Sequence, residues 1–337
     1  MILVTGGTGL VGAHLLLKLT QGGEPVRATF RSGSKLERVR KLFISEHPEG
    51  SRLFEKIEWA EADILNLPQL EKAFEGITHV YHCAALISFD PRDFRKLKRV
   101  NVRGTANVVN LCLALNISKL CYVSSIAAFS HNDGKTPITE ENEWIGAANV
   151  YGLSKYLAEM EVWRGAQEGV PVVIVNPGVI IGPGFWYQGS GSLFRAAAKA
   201  PKYFPPGGTG FITVKDTIEI MTGLMDSDIQ GERYILISKN LSFETVMQQM
   251  AAGLELKKPV KKLSNLQLEI LWRLDWLRCV IRRKRRRLSR EQAKSLKHPV
   301  TYSNAKIKNT LGYQFEDMEK AINHCCMLYK RDVGITP

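Results

Sequence analysis

The sequence predicts an α/β fold, a doubly wound parallel sheet followed by a smaller, mostly helical C-terminal lobe. Three observations carry this expectation. Residues 2–5, "ILVT", form a short β-type run that enters a glycine turn and then a helical stretch. Strand-like and helix-like segments alternate from there to residue 176, the pattern of stacked βαβ units. A Pro/Gly segment, "NPGVIIGPG", then closes the alternation, and an aromatic, Gly/Ser-rich stretch follows it. Residues 1–176 are therefore expected to form one domain, with 209–240 returning to it, and 177–337 the smaller lobe.

The first unit reads strand, "GGTGLVG", then "AHLLLKLTQGG", whose Gly22–Gly23 pair suits a helix end. Two registers fit the glycines: Gly7, Gly9 and Gly12 match G-x-G-x-x-G, while Gly6, Gly9 and Gly12 match T-G-x-x-G-x-x-G. Either allows a tight turn and close backbone approach to a pyrophosphate at a helix N-terminus. Gly6, Thr8, Gly9, Leu10, Val11 and Gly12 are thus candidate cofactor contacts.

The second strand, "PVRATF", ends in Arg31-Ser32-Gly33-Ser34-Lys35. A site for NAD usually has a carboxylate here to bind the adenosine ribose. Arg31 offers a planar fork and Lys35 a point charge, both suited to a 2′-phosphate. The expected cofactor is NADP rather than NAD, although a solvated basic loop would read the same way.

A third strand in "IEWAEADILN" leads to Asp63 and Ile64, suited to hydrogen-bonding and covering an adenine. A fourth, "THVYHCAALIS", runs into Ala84 and Ala85, small enough for a cofactor to lie against. Its His82 reads as a core histidine. A long helical pattern over 92–116 carries Asn101, and "KLCYVSSIAAF" is a fifth strand ending at Ser124-Ser125. The next helix, "NVYGLSKYLAE", holds Tyr151 and Lys155 at a spacing that shares one helical face. A second such pair, Tyr302 and Lys306, has no glycine turn or serine strand-end before it and reads as a decoy.

At this point the chain resembles the extended short-chain dehydrogenase/reductase family. The residues responsible are "TGGTGLVG", "ADI", "HCAA", "NVRGT", "YVSS", "YGLSK" and "NPGVIIGPG", in the family's order and specific through about residue 183. The likeness is greatest to the dihydroflavonol-reductase and steroid-dehydrogenase branch, which shares the "VRATFR" type of second strand. The resemblance implies a Rossmann fold and a Ser125-Tyr151-Lys155 mechanism. Tyr151 exchanges the proton of a carbonyl/alcohol pair, Ser125 hydrogen-bonds the substrate oxygen, and Lys155 favours the phenolate and holds the nicotinamide ribose. Asn101 enters either as support for a proton relay or as a tie on a kinked helix. Pro177, Gly178 and Val179 are implied beside the nicotinamide, and a homodimer through the helices holding Asn101 and Tyr151.

After residue 184, "GFWYQGSGSLF" suits a wall over the substrate, and "FITVKDTIEIMTG" a strand and a helix capped by Asp216. "GERYILIS" is one more strand of the main sheet. Sugar-nucleotide epimerases of the family commonly place an Arg before the strand matching "FITV". Here Gly207-Gly208-Thr209-Gly210 stands in that place, with Arg195 or Lys202 as the available substitutes. Leu263, Leu266, Ile270, Leu271, Leu274, Leu277 and Ile281 recur at helical spacing, which predicts a helix packed on the lobe.

The net charge of +13 is local: residues 251–337 hold 20 Lys and Arg against 8 Asp and Glu, and residues 1–250 hold 26 against 25. Its centre is the run Arg282 to Arg287, read as a solvated helix end or loop, with attraction to an acidic substrate or membrane-surface contact through 263–290 as weaker possibilities. No nucleic-acid recognition motif accompanies it. No apolar run reaches the ~18 residues that span a bilayer. The start shows no signal-peptide pattern, and the six Cys lack metal spacing. A cytoplasmic protein without a metal is expected.

The leading functional expectation is an NADP-dependent oxidoreductase acting on a ketone/secondary alcohol of a small molecule. The alternatives are an NDP-sugar epimerase/dehydratase with retained NAD, and a cofactor-binding regulator without turnover.

Overall fold

The computed structural model describes residues 1–130, 136–146, 149–282, 285–286 and 288–334. Seven strands make the main sheet: β1 (Ile2–Thr5), β2 (Val26–Phe30), β3 (Glu58–Glu61), β4 (His79–His82), β5 (Lys119–Val123), β6 (Val172–Pro177) and, after three strands of other sheets, β10 (Glu232–Leu236). Their order is β10-β6-β5-β4-β1-β2-β3, and every pair is parallel. The order turns in opposite directions on either side of β1 and β4. That is the switch point where the carboxyl ends open a crevice.

Both faces of the sheet are covered, so neighbours along a strand face different cores. Val4, Tyr81, Cys121, Val173 and Val175 join one cluster with helices α1 (Leu10–Gln21) and α2 (Leu36–Glu46). Leu3, Val80, Leu120, Tyr122, Val172 and Ile174 join another. It includes residues of α4 (Leu67–Phe74), α6 (Gly104–Ala114) and α7 (Val150–Gln167). The short helices α3 (Gly50–Glu55) and α5 (Phe94–Leu97) lie between these in sequence.

The 92–116 stretch is not one regular helix. Lys98–Arg103 forms a π-type turn between α5 and α6. Gly104, which follows it, packs so closely that a Cβ there would lie 2.4 Å from Ile64 Cδ1. Such widened turns place a side chain out of the α-helical register, and the side chain placed here is Asn101.

Beyond β6 the chain leaves the main sheet. Strands β7 (Val179–Ile181), β9 (Gly208–Thr213) and β11 (Lys239–Ser242) form a three-stranded sheet, and β8 (Tyr203–Phe204) pairs with β12 (Lys261–Lys262). Helices α8 (Ser192–Ala197), α10 (Phe243–Gly253) and α14 (Met318–Val333) supply a separate core around Phe194, Met250 and Ile322. Helix α9 (Val214–Asp226) packs on α1 in the first cluster. Its N-cap is Thr213, whose hydroxyl accepts from the Asp216 amide at 2.9 Å. The expectation that Asp216 caps the helix is corrected: its carboxylate accepts from Tyr313 Oη and the Glu316 amide. Helices α12 (Arg290–Ser295) and α13 (Ala305–Leu311) flank the return of the chain.

Helix α11 (Asn265–Arg282) corrects another expectation. It forms, but only Leu268 and Cys279 are buried. Leu266, Ile270, Leu271, Leu274, Leu277 and Ile281 all face solvent, because the lobe's core is filled by α8, α10 and α14 and takes in no residue of α11. Within the basic run, Arg283, Lys284 and Arg287 lie outside the described residues.

Candidate active site

The candidate residues come from the carboxyl ends of six strands and so share one edge of the sheet. After β1, Gly6 adopts φ +73°, and a Cβ on it would lie 2.7 Å from the backbone of Ala84. A Cβ on Gly12 would lie 2.4 Å from the Gly6 carbonyl oxygen. These two positions require glycine, which favours the Gly6/Gly9/Gly12 register. Gly9 stands at the N-cap of α1 without a side-chain cap, and no acidic residue occupies the first turn. The first-turn amides and the positive helix end therefore suit a pyrophosphate. Thr8, Leu10 and Val11 border the same turn, half-exposed, and Ala84, after β4, packs against Gly6, followed by the exposed Ala85.

After β2, Arg31 is exposed and its Nη1 lies 3.8 Å from Asp63 Oδ2. Burial and the charges of Arg31 and Arg38 hold the Lys35 ammonium below its ordinary range. Arg38 is a third cation that the sequence reading missed, although it stands one helical turn after Lys35. Asp63 also accepts from the Leu65 amide at 2.9 Å. Ile64 is buried against Gly104, leaving Asp63 as the exposed member of the expected adenine pair.

After β5, Ser125 caps a short helical turn, its hydroxyl accepting from the Ala127 amide at 3.1 Å. Helix α7 begins at its own cap, Asn149, and packs on that turn. A Cβ on Gly152 would lie 2.3 Å from Ala127 O, so glycine permits the contact. Tyr151 is thereby held near Ser125, whose hydroxyl favours the ionised phenol. Burial pushes the Tyr151 phenol up to about 12, and the Ser125 hydroxyl opposes the shift. Lys155 is buried on the same helical face. Its Nζ donates to Tyr122 Oη and to the Val123 carbonyl, each at 2.8 Å. Burial brings its ammonium down to about 7, and the charge of Glu159 acts against that.

Asn101 uses its whole amide in bracing. Its oxygen accepts from the Leu86 amide at 2.7 Å, and its nitrogen donates to Leu86 O and Ser154 Oγ. It ties the loop after β4 to α7 beside Tyr151, the geometry of a tie on a kinked helix. Behind the site lies a buried polar group absent from the sequence reading. Glu159 accepts from Ser124 Oγ at 2.7 Å, Asn176 Nδ2 at 2.9 Å and Arg233 Nη1 at 3.1 Å. The available signal was spacing: Glu159 continues the Tyr151, Lys155 face by one more turn. Pro177 ends β6 beside Leu236, and a Cβ on Gly178 would lie 2.4 Å from Gly210 O, so the glycine segment before "FITV" packs against this turn.

His82 is a core histidine, as read. Its nitrogens face Thr5 Oγ1 at 2.6 Å and Thr105 Oγ1 at 2.9 Å. Tyr302 is buried among Ile126, Phe129, Ile138 and Ile237, and Lys306 pairs with Glu232 at 2.6 Å. That pair is occupied by packing and an ion pair of its own. Arg195 lies over the Tyr187 ring, at 4.5 Å from its centroid.

Residues 2–236 match the profile of the NAD dependent epimerase/dehydratase family. This chain belongs to that family. As a family member it is an NAD(P)-dependent oxidoreductase of the extended short-chain dehydrogenase/reductase type. It is similar to a putative dihydroflavonol 4-reductase of Synechocystis, with 30% identity over 276 residues covering 76% of this chain and 73% of that one. It is also similar to sterol demethylase protein B of Methylococcus capsulatus, at 28% identity covering 73% and 72%. Its fold is that of the UDP-glucuronic acid 4-epimerase of Bacillus cereus, solved with NAD, at TM-score 0.73 and 17% identity over 98% of both chains.

Proposed function

We propose that this family member is an NADP-dependent reductase or dehydrogenase acting on a ketone/secondary-alcohol pair of a small molecule. The observation that carries the reading is the convergence of Ser125, at the end of β5, with Tyr151 and, one turn along α7, the buried Lys155.

The glycine cradle at Gly6 and Gly12 and the uncapped start of α1 fit a dinucleotide's pyrophosphate. Arg31, Lys35 and Arg38 fit a 2′-phosphate on its adenosine ribose. When bound, the cofactor supplies or accepts the hydride. Tyr151, kept a neutral phenol at neutral pH by burial, gives its proton to the ketone oxygen during reduction. Ser125 donates a hydrogen bond to that oxygen as negative charge develops there. Lys155 spends two of its three N–H groups on Tyr122 and Val123, which fixes its position. The third serves the nicotinamide ribose, and the positive charge steadies the phenolate. Asn101 and Glu159 position these groups without touching substrate. Pro177, Gly178 and Val179 line the nicotinamide side.

The named dihydroflavonol reductase relative supports a reductase. So does the run Gly207-Gly208-Thr209-Gly210, which offers no guanidinium to a sugar diphosphate. The test is titration of the purified protein with NADPH, NADH, NADP and NAD, with assay of any nucleotide that copurifies. Preference for the phosphorylated forms and free exchange support the reading. Tightly retained NAD overturns it in favour of a sugar-nucleotide epimerase. Tyr151→Phe is expected to lose roughly 10²–10⁴-fold in turnover while keeping cofactor affinity. Unchanged partner responses and no turnover in either protein would indicate a regulator.

A further inference from the structure

Helix α11 turns an apolar stripe to solvent. Leu268 and Cys279 face inward, while Leu266, Ile270, Leu274, Leu277 and Ile281 recur three or four residues apart on the other side. Leu266 and Ile281 are each 70% exposed, and Trp276 and Val280 flank the stripe in the open. The chain around it is strongly basic in sequence: residues 257–297 hold 15 Lys and Arg against 3 Asp and Glu. Two of those acids are engaged within this region, Glu269 with Arg273 and Lys297, Asp275 with Arg278.

Charge decides what covers the stripe. A second copy of the chain would bring the same positive surface against it, and a nucleic acid would leave the apolar side chains wet. An anionic bilayer satisfies both, with acyl chains for the leucines and headgroups for the cations. Among the described residues no helix is long and apolar enough to cross a membrane, so α11 would lie along its surface. The same region reaches the candidate site. Arg285 pairs with Asp93 at 3.8 Å. On that loop the Phe89 ring meets Tyr151 edge-on at 5.3 Å, and Ile87 is exposed.

We propose that α11, with Arg282, Arg285 and Arg286, docks this protein on an anionic membrane surface, beside the loop that covers Tyr151. The docking stands apart from the assignment of Tyr151. Delivery of an apolar ketone or alcohol from the bilayer rests on that assignment.

The experiment is flotation with vesicles of phosphatidylcholine alone and with about one-third phosphatidylglycerol, at low and high salt. Wild type is expected to float with the anionic vesicles only, and less at high salt. R282Q/R285Q/R286Q and L266Q/I270Q/L274Q/L277Q are each expected to weaken binding by at least about tenfold, with melting temperatures unchanged because these positions are on the surface. Wild type left with the lipid-free protein overturns the proposal, as does equal flotation with neutral vesicles by every variant. A dimer that the stripe variant dissociates, without vesicle binding, assigns the stripe to a second copy instead. No readout involves turnover, so failure here leaves the reductase reading standing.

Discussion

Glu159 and Arg233 form an ion pair behind the candidate site, Oε1 to Nη1 at 3.1 Å, with the carboxylate fully buried. The same carboxylate takes the Ser124 hydroxyl and the Asn176 amide, so it joins the ends of β5 and β6 to α7. Removing one member of such a pair strands the other. Glu159→Ala is expected to cost about 3 kcal/mol in urea unfolding. A loss under about 1 kcal/mol would show that the pair behaves as a surface contact.

Arg31 and Lys35 should separate the two cofactors. Charge-assisted hydrogen bonds are worth about 1.5–3 kcal/mol, so Arg31→Ala is expected to weaken NADPH binding by about 10- to 100-fold. NADH affinity should stay nearly the same, because it has no 2′-phosphate. Equal losses for both cofactors, by fluorescence titration, would remove Arg31 from that role.

Lys155, brought by burial to about 7, predicts a pH profile. The ammonium steadies the phenolate that forms when Tyr151 gives up its proton, and the neutral amine does not. Reductive kcat/KM should therefore fall as pH rises through about 7. Glu159 favours the ammonium, so Glu159→Gln should move the falling limb to lower pH. A profile in which wild type and Glu159→Gln coincide would contradict the coupling.

Burial holds the His82 imidazole down at about 3. In the unfolded chain it takes a proton near its ordinary value of about 6.5, while the folded chain leaves it neutral. Between those values the unfolded state binds more protons, so stability falls as pH falls through the window. Thermal melts from about pH 7 to 4 should show the loss, and His82→Gln, which cannot titrate, should show a shallower slope.

Much of this architecture was local and therefore legible. The glycine turn, the alternation of strands and helices, and the shared face of Tyr151 and Lys155 are fixed by spacing over a few residues. The sheet's handed connections then bring successive strand ends to one edge. Other features depend on residues far apart in the chain. Spacing marked the stripe on α11 but could not say which side meets the protein, because packing partners choose the buried face. Asn101's bonds to Leu86 and Ser154, and Glu159's to Ser124, Asn176 and Arg233, needed the folded chain. The sequence by itself determined a dinucleotide-type sheet and the candidate proton-transfer residues on it. Tertiary structure alone decided what braces them and which surface stays uncovered, since a buried charge or an exposed leucine is defined by its neighbours in space.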